Sequence, residues 1–467
     1  MELNYLKPYF EERLQVNQLP DWQKLSKKAA FEQVIKTGLP SDKHEKWRFT
    51  DLSEIEQNPL WYPLNPGKIQ STTLSKDELS RFLNFTHGED HLLVFLNGRF
   101  SGELSRYKKL KEEIEFETVA NILKLGHGEK LQKVLSNNKM PSEDAWQKLL
   151  DQSHDSFRML NEAFFLNGIY LRIPRRVQMK KTINIVHITT ASSANAITSA
   201  KNFILIEKEA KASIVESHLS FSEICYLRNF HNVIKVCENA KLGHTVAQAE
   251  SEKSFNMGVT STQVERNGHY NSFVFTVGGK LSRHQLNISL NEHGASCQSH
   301  GLYALTEKQQ CDNYTSILHL APYTESEQLY KGILDDTSHA VFDGHVLIDR
   351  DAQKASASQL NKNLLLTKEA QINTQPQLEI LADDVKATHG ATIGQLSDDQ
   401  LFYLQSRGIA KDKALELLTH AFSHDVILKV ENPFVQNKLN KILIKKVENC
   451  SRKIKNTLRK GGHSEKI

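Results

Sequence analysis

Cysteine is scarce: Cys225, Cys237, Cys297, Cys311 and Cys450 are the only five in 467 residues, and no two form a CxxC pair. That spacing excludes a zinc ribbon or a thioredoxin-like dithiol, and an odd set of separated thiols suits a reduced, intracellular protein. Long apolar runs are also missing, since no stretch approaches the roughly 20 residues that cross a bilayer. The opening MELNYLKPYFEERL meets charge at its second residue, unlike a secretory leader. The cytoplasm is the expected location. Charge of one sign is not in excess, with 59 Lys and Arg against 55 Asp and Glu, so the chain as a whole offers little to a polyanion. The local signatures of common enzymes are absent too: there is no GxSxG, HExxH, Walker A loop or GxGxxG after a strand. Gly278-Gly279-Lys280 lacks the earlier glycine of a phosphate cradle, so ATP hydrolysis by this chain is not expected.

What is present divides along the chain. A length of 467 residues predicts two or three domains unless a repeat architecture holds them around one core. The first 40 residues read as helix, with Trp22, Leu25, Ala29, Phe31, Val34 and Ile35 as its apolar positions and Gly38 and Pro40 as the stop. LLVFLNGRF predicts a hairpin, and short helices are expected over Glu117–Val134 and Pro141–Leu150. Residues 1–150 therefore form an N-terminal helical and mixed domain, 151–395 a β core and 396–467 a C-terminal helical domain.

Within the core, short β-branched runs alternate with polar corners carrying Ala or Gly: EKEAKAS at Glu207, CENAKLG at Cys237, NEHGASC at Asn291, DRDAQKAS at Asp349 and TKEAQIN at Thr367. The corner alanines 210, 240, 295, 352 and 370 are separated by 30, 55, 57 and 18 residues, intervals that mostly suit turns of a strand-built solenoid. A β-sandwich would also give short strands. Helix returns at the end. Ser397 with Gln400 reads as a capping box, Gly408 as a left-handed C-cap and Asn432-Pro433 as a break. Ala414, Leu417, Leu418, Ala421 and Phe422 fall on one stripe of the second helix. From Lys438 to Ile467 there are ten Lys and Arg but two Glu, which suits either an acidic partner or, more plainly, a solvated basic face.

Three segments, in one order, carry a family resemblance. HEKWRFTDL (44–52), DGHVLIDRDAQKASASQLNKNLLL (343–366) and ATHGATIGQLSDDQLFYLQSRGI (387–409) resemble the SufB/SufD family of the SUF iron-sulfur cluster assembly scaffold, and the last is closer to its SufD branch. The resemblance implies a mainly β fold, a right-handed parallel β-helix with helical ends. It also implies a non-catalytic scaffold that pairs with a SufB-like sister, binds a SufC-like ABC ATPase and shares a transient iron-sulfur cluster. A homodimer is possible in isolation, and neither membrane nor nucleic acid is an expected partner. His389, in the HGAT segment, is the candidate cluster ligand and interface residue. On residue chemistry alone its imidazole would more often simply hydrogen-bond a turn, and the resemblance reverses that preference. Many SufD relatives place a cysteine where this chain has Ala387, so any thiolate must come from the sister chain or from Cys297 or Cys311 folded close by; core filling is the plainer role for all five cysteines. Phe402, Tyr403, Leu417, Leu418 and Phe422 are candidate anchors for the ATPase, with packing inside their own domain as the competing role. Two other classes stay open: a β-helix carbohydrate enzyme using Asp335, Asp336, Asp343, Asp349 and Asp351, and a nucleic-acid binder using the basic tail.

Overall fold

The computed structural model describes residues 3–15, 19–57, 61–64, 74, 78, 91–135, 156–190 and 194–461, with side chains as far as Val447 in the last helix. The expected helix over Pro141–Leu150 and the side chain of Cys450 lie outside the described residues.

The chain opens with α1 (Lys7–Leu14), α2 (Asp21–Thr37) and α3 (Ser53–Gln57), followed by strand β1 (Tyr62–Pro63). The predicted hairpin forms as β2 (His91–Leu96) and β3 (Arg99–Phe100), with Asn97 and Gly98 both at positive φ as its two-residue turn requires. Next come α4 (Leu110–Glu113), β4 (Glu115–Thr118), α5 (Val119–Lys124), α6 (Glu129–Leu135) and α7 (Ser156–Phe164).

Sixteen strands then alternate between two parallel sheets. One sheet takes β5 (Ile169–Ile173), β7 (Ala196–Ile206), β9 (Leu227–Val236), β11 (Phe255–Val264), β13 (Leu281–Leu290), β15 (Gln310–His319), β17 (His339–Ile348) and β19 (Gln371–Ile380). The other takes β6 (Ile183–Thr189), β8 (Lys211–Ser220), β10 (Lys241–Ala249), β12 (His269–Thr276), β14 (Ser296–Leu305), β16 (Glu325–Leu334), β18 (Ser356–Leu365) and β20 (Lys386–Gln395). The result is a right-handed β-solenoid of about seven turns with helices at both ends. The expected sandwich alternative is excluded by the parallel ladders between every second strand.

The repeated corners work as local β-turns. Ala210, Ala240, Ala295 and Ala352 donate their N–H to the carbonyls of Glu207, Cys237, Glu292 and Asp349, and each methyl is fully buried beneath its turn. Glu209 and Asn239 take positive φ there. Inside the coils, alternate residues such as Ile204, Ile206, Ala212, Ile214, Ile234, Leu242, Leu286 and Ile317 fill the lumen as one apolar cluster.

β1, β2 and β4 complete the first coils by pairing with β7, β6 and β5. The N-terminal helices form, but α2 turns a different face inward than its apolar spacing predicts. Leu25 and Ala29 are exposed, while Gln23 and Lys27 are buried with Ala30, Phe31 and Val34. The reason is the end of α7: Lys27 Nζ donates to the carbonyls of Glu162 at 3.0 Å and Phe165 at 2.7 Å and sits over the Phe165 ring, satisfying a buried cation. Burial lowers the Lys27 ammonium to about 7.

α8 (Asp398–Ser406), α9 (Lys411–Ile427) and α10 (Pro433–Gly461) close the chain. The Ser397 side chain caps Gln400 N–H, and Gly408 takes φ 83. Of the expected stripe on α9, Ala414 is buried and Leu418 and Phe422 are half-buried, while Leu417 and Ala421 point away and Thr419, Ser423, Val426 and Ile427 complete the inward face. Ser423 tolerates burial because its hydroxyl bonds back to the carbonyls of Thr419 and His420. α10 lays Val435, Leu439, Leu443 and Val447, a 3.6-residue stripe, on the outer face of the second sheet beside Phe273, Phe275 and Ala304.

Candidate functional site at the open end of the solenoid

A coil stack ends where its last strands find no further neighbour. β19 and β20 occupy that position, so one long edge of each pairs with no strand among the described residues. His389 is on β20 and its side chain is exposed. Its face follows from the two-residue period: Ala387 packs on the lumen cluster, so His389 is on the lumen side of the last coil. Beneath it the parallel registers define one column, His244, Ser272, Ser299, Gln328, Gln359 and then His389. All five residues below His389 are buried, and Gln359 Nε2 donates to Gln328 Oε1 at 2.6 Å. The imidazole is therefore the solvent-facing end of a polar row that threads the interior.

The thiols do not join it. Cys297 aligns with Ser326, Ala357 and Ala387, so three strand spacings, roughly 14 Å at 4.7–4.9 Å each, separate it from β20. Cys311 belongs to the opposite sheet and aligns with Ala340 and Ile372. Both are buried, and burial pushes Cys297 up to about 12 and Cys311 higher still, which leaves them protonated. The suggestion that one of them lies beside His389 is thus corrected.

The candidate docking residues divide. Phe402, Tyr403 and Leu417 are 72%, 58% and 42% exposed on α8 and α9. Leu418 and Phe422 are half-buried. Phe422 packs against the solenoid, with Lys331 Nζ 4.7 Å from its ring and bonded to its carbonyl at 2.7 Å.

The acids proposed for carbohydrate chemistry do not converge. Asp335 and Asp336 turn one corner, Asp349 and Asp351 turn the opposite one, and Asp343 lies in the middle of β17. Asp336 accepts from Glu307 N–H and Asp349 from Arg350 N–H, as corner residues do. Among the described residues no helix is long and apolar enough to cross a membrane.

Two features escape a reading of the sequence: the lumen column and a buried group of His187, Glu216 and His218. The signal for the second was available in β8, where the inward positions run Ala212, Ile214, Glu216, His218 and turn polar without losing the period.

The stacked coils and the sequence together assign the class. Residues 187–422 match the SufBD core domain of the SUF system for FeS cluster assembly, and residues 1–185 match the SufBD protein N-terminal region. The chain belongs to the SufB/SufD family, whose role is in iron-sulfur cluster assembly. It is 31% identical over 411 residues to an iron-sulfur cluster assembly SufBD family protein of Synechocystis, covering 86% of both chains. It is 27% identical to the iron-sulfur cluster assembly protein SufD of Escherichia coli over 85% of this chain and 86% of that one. The protein of the same name in Bacillus subtilis is 24% identical over 96% and 98%.

Proposed function

We propose that this chain is a scaffold subunit for iron-sulfur cluster assembly that meets a SufB-like sister across the open end of the solenoid and offers His389 to the forming cluster. One observation supports this above the others: the imidazole is exposed on the last strand, whose outer edge is free. A free parallel edge accepts a strand from a second chain, and such pairing would bring the sister's surface onto His389. In isolation, two copies of this chain would use the same edge.

The cluster is cargo, held transiently and shared. A neutral imidazole nitrogen is a competent ligand for iron. Because Ala387 has no thiol and Cys297 and Cys311 are buried elsewhere, the soft sulfur ligand comes from the sister chain. Phe402, Tyr403 and Leu417 anchor a SufC-like ATPase, with Leu418 and Phe422 supporting them from beneath. ATP hydrolysis belongs to that partner, and this chain performs no catalysis of its own. Closure of the ATPase would pull on α8 and α9, which follow β20 directly, and so favour a more open interface around His389 through differential contacts with the two states. On this reading residues 1–150, 151–395 and 396–467 serve as end cap, scaffold and docking unit, in the cytoplasm and without membrane or nucleic acid.

The test is His389→Ala in the complex co-expressed with its partners. Subunit ratios on purification should be unchanged while the iron and acid-labile sulfide content falls. An alanine complex carrying the parent's full complement of cluster would reject the ligand role.

A further inference from the structure

Glu216 is fully buried, with 0% of its side chain exposed, midway along β8. Its carboxylate accepts from Asn202 Nδ2 at 3.3 Å and Asn232 Nδ2 at 2.7 Å, both reaching across the lumen from the opposite sheet. Two amides do not neutralise a carboxylate. Among the described residues no lysine or arginine lies within ion-pair distance of it; three histidines do, and Arg228, which lines the same cavity, is paired with Glu250 at 2.8 Å. His187 Nε2 lies 3.3 Å and His218 Nε2 3.1 Å from Oε1, while His244 Nε2 lies 3.6 Å from Oε2. None of these three nitrogens is aligned for a hydrogen bond to the carboxylate, and none finds another partner. The ligating atoms of His187, Glu216 and His218 all lie within 4.8 Å of one another.

A buried carboxylate sheds or offsets its charge in one of three ways: a proton of its own, a proton on an imidazole, or a bound cation. Ionised carboxylate and neutral imidazole are the states that ligate metal.

We propose that His187, Glu216 and His218 form a binding site for a borderline divalent transition-metal ion, Zn2+ or Fe2+, with His244 as the nearest additional donor. The distances suit it. Ligand atoms about 2.0–2.2 Å from a tetrahedral ion lie roughly 3.3–3.5 Å apart, and the two His–Glu separations are 3.3 and 3.1 Å, with no two ligand atoms of the three residues further apart than 4.8 Å. Two nitrogens and one carboxylate oxygen favour such an ion over Ca2+ or Mg2+, which take oxygen shells.

The surroundings hold the donors in place, as outer partners of a metal site do. His187 is sandwiched between Phe95, 5.1 Å away, and His218, 4.7 Å away; His218 in turn contacts Phe230 at 4.8 Å. His244 Nδ1 is fixed by Tyr270 Oη at 3.0 Å. A cavity of about 30 Å3 bordered by Asn97, Gly98, Thr189 and Ser199 reaches His187 and His218. His244 on β10 is five strands below β20, Glu216 and His218 on β8 are six below and His187 on β6 is seven below, so the site is separate from His389.

The decisive measurement is calorimetric titration of chelator-stripped, full-length protein with Zn2+ alone, using the parent, His389→Ala, Glu216→Gln and His218→Gln. We expect one equivalent bound tightly by both the parent and His389→Ala, and affinity lowered by more than about 100-fold in the Glu216 and His218 variants, beyond the loss that second-layer changes cause. Circular dichroism establishes that each variant is folded. Equal affinity in folded Glu216→Gln and parent, or loss of the tight equivalent in His389→Ala, would overturn the assignment. Should the lumen variants fail to fold, anomalous diffraction from Zn2+-soaked crystals of the parent decides: a peak among His187, Glu216 and His218 supports the site, and its absence there disproves it.

Discussion

Acid should loosen this solenoid through particular histidines, and His319 allows the effect to be worked out. It ends β15 with no exposed surface; Nδ1 is 2.8 Å from Thr324 Oγ1 and Nε2 is 2.9 Å from Ser326 Oγ. Thr324 Oγ1 donates its own proton to Ala321 O, so Nδ1–H is the donor to Thr324, and in the neutral ring Nε2 accepts from Ser326. Burial, not the hydrogen bonds, disfavours the charged ring and lowers it from 6.5 to about 4. Between those values the unfolded chain binds a proton that the folded chain refuses, so stability rises with pH across the window and is lost as pH falls below 6.5. At somewhat over 1 kcal/mol per unit, the loss reaches about 2 kcal/mol by pH 5. His319→Gln cannot take up that proton. It gives up hydrogen bonds whose net value is about 1 kcal/mol each, so it should be less stable than the parent at pH 7 and approach it near pH 5. Urea midpoints at pH 7, 6 and 5 measure this convergence. A constant offset between the two proteins over the whole range would refute the reasoning.

Leu439 is 1% exposed between α10 and the sheet, so Leu439→Ala should cost about 2–5 kcal/mol and lower the melting temperature, whereas a shift under 1 °C would mean α10 is not clamped there. Phe402 projects into solvent, so Phe402→Asp should change stability by under about 0.5 kcal/mol yet abolish co-purification of the SufC-like ATPase; retention of the ATPase would remove this residue from the docking surface.

The corners were legible because their chemistry is local. An acidic residue or Asn able to adopt positive φ, followed by a small residue under the turn, can be read within seven residues. Their irregular spacing has a simple cause. The interval of 30 from Ala210 to Ala240 is one coil; 55 is two coils, because Gly268 takes the alanine's place in the coil between; 57 falls short of the two coils from Ala295 to Ala355, its partner in register, because Ala352 stands three residues earlier in that corner, as Ala321 does one coil below; and 18 crosses to the other corner row at Ala370. The N-terminal contribution was less legible. Whether HLLVFL joins β6 depends on a partner some 90 residues away, and no local pattern encodes a long-range parallel register. The inward faces of α2 and α9 were misjudged for a related reason: Lys27 and Ser423 are acceptable inside only because carbonyls happen to be within reach.

The site itself shows why residue type and exposure separate in a solenoid. Ser272, Ser299, Gln328 and Gln359 would each pass for a surface residue in the sequence, yet all are buried because another coil lies above them. His389 shares their column and their face of the sheet and is exposed, so its accessibility comes from its place in the stack and not from its side chain. The sequence marks that place only indirectly, by the Ser397 cap two residues after β20 ends, which commits the chain to helix and denies β20 a covering strand. A further coil inserted between Gln395 and Ser397 would bury His389 without changing any residue that touches it. Any function that requires the imidazole to meet another chain therefore depends on where the coil count stops.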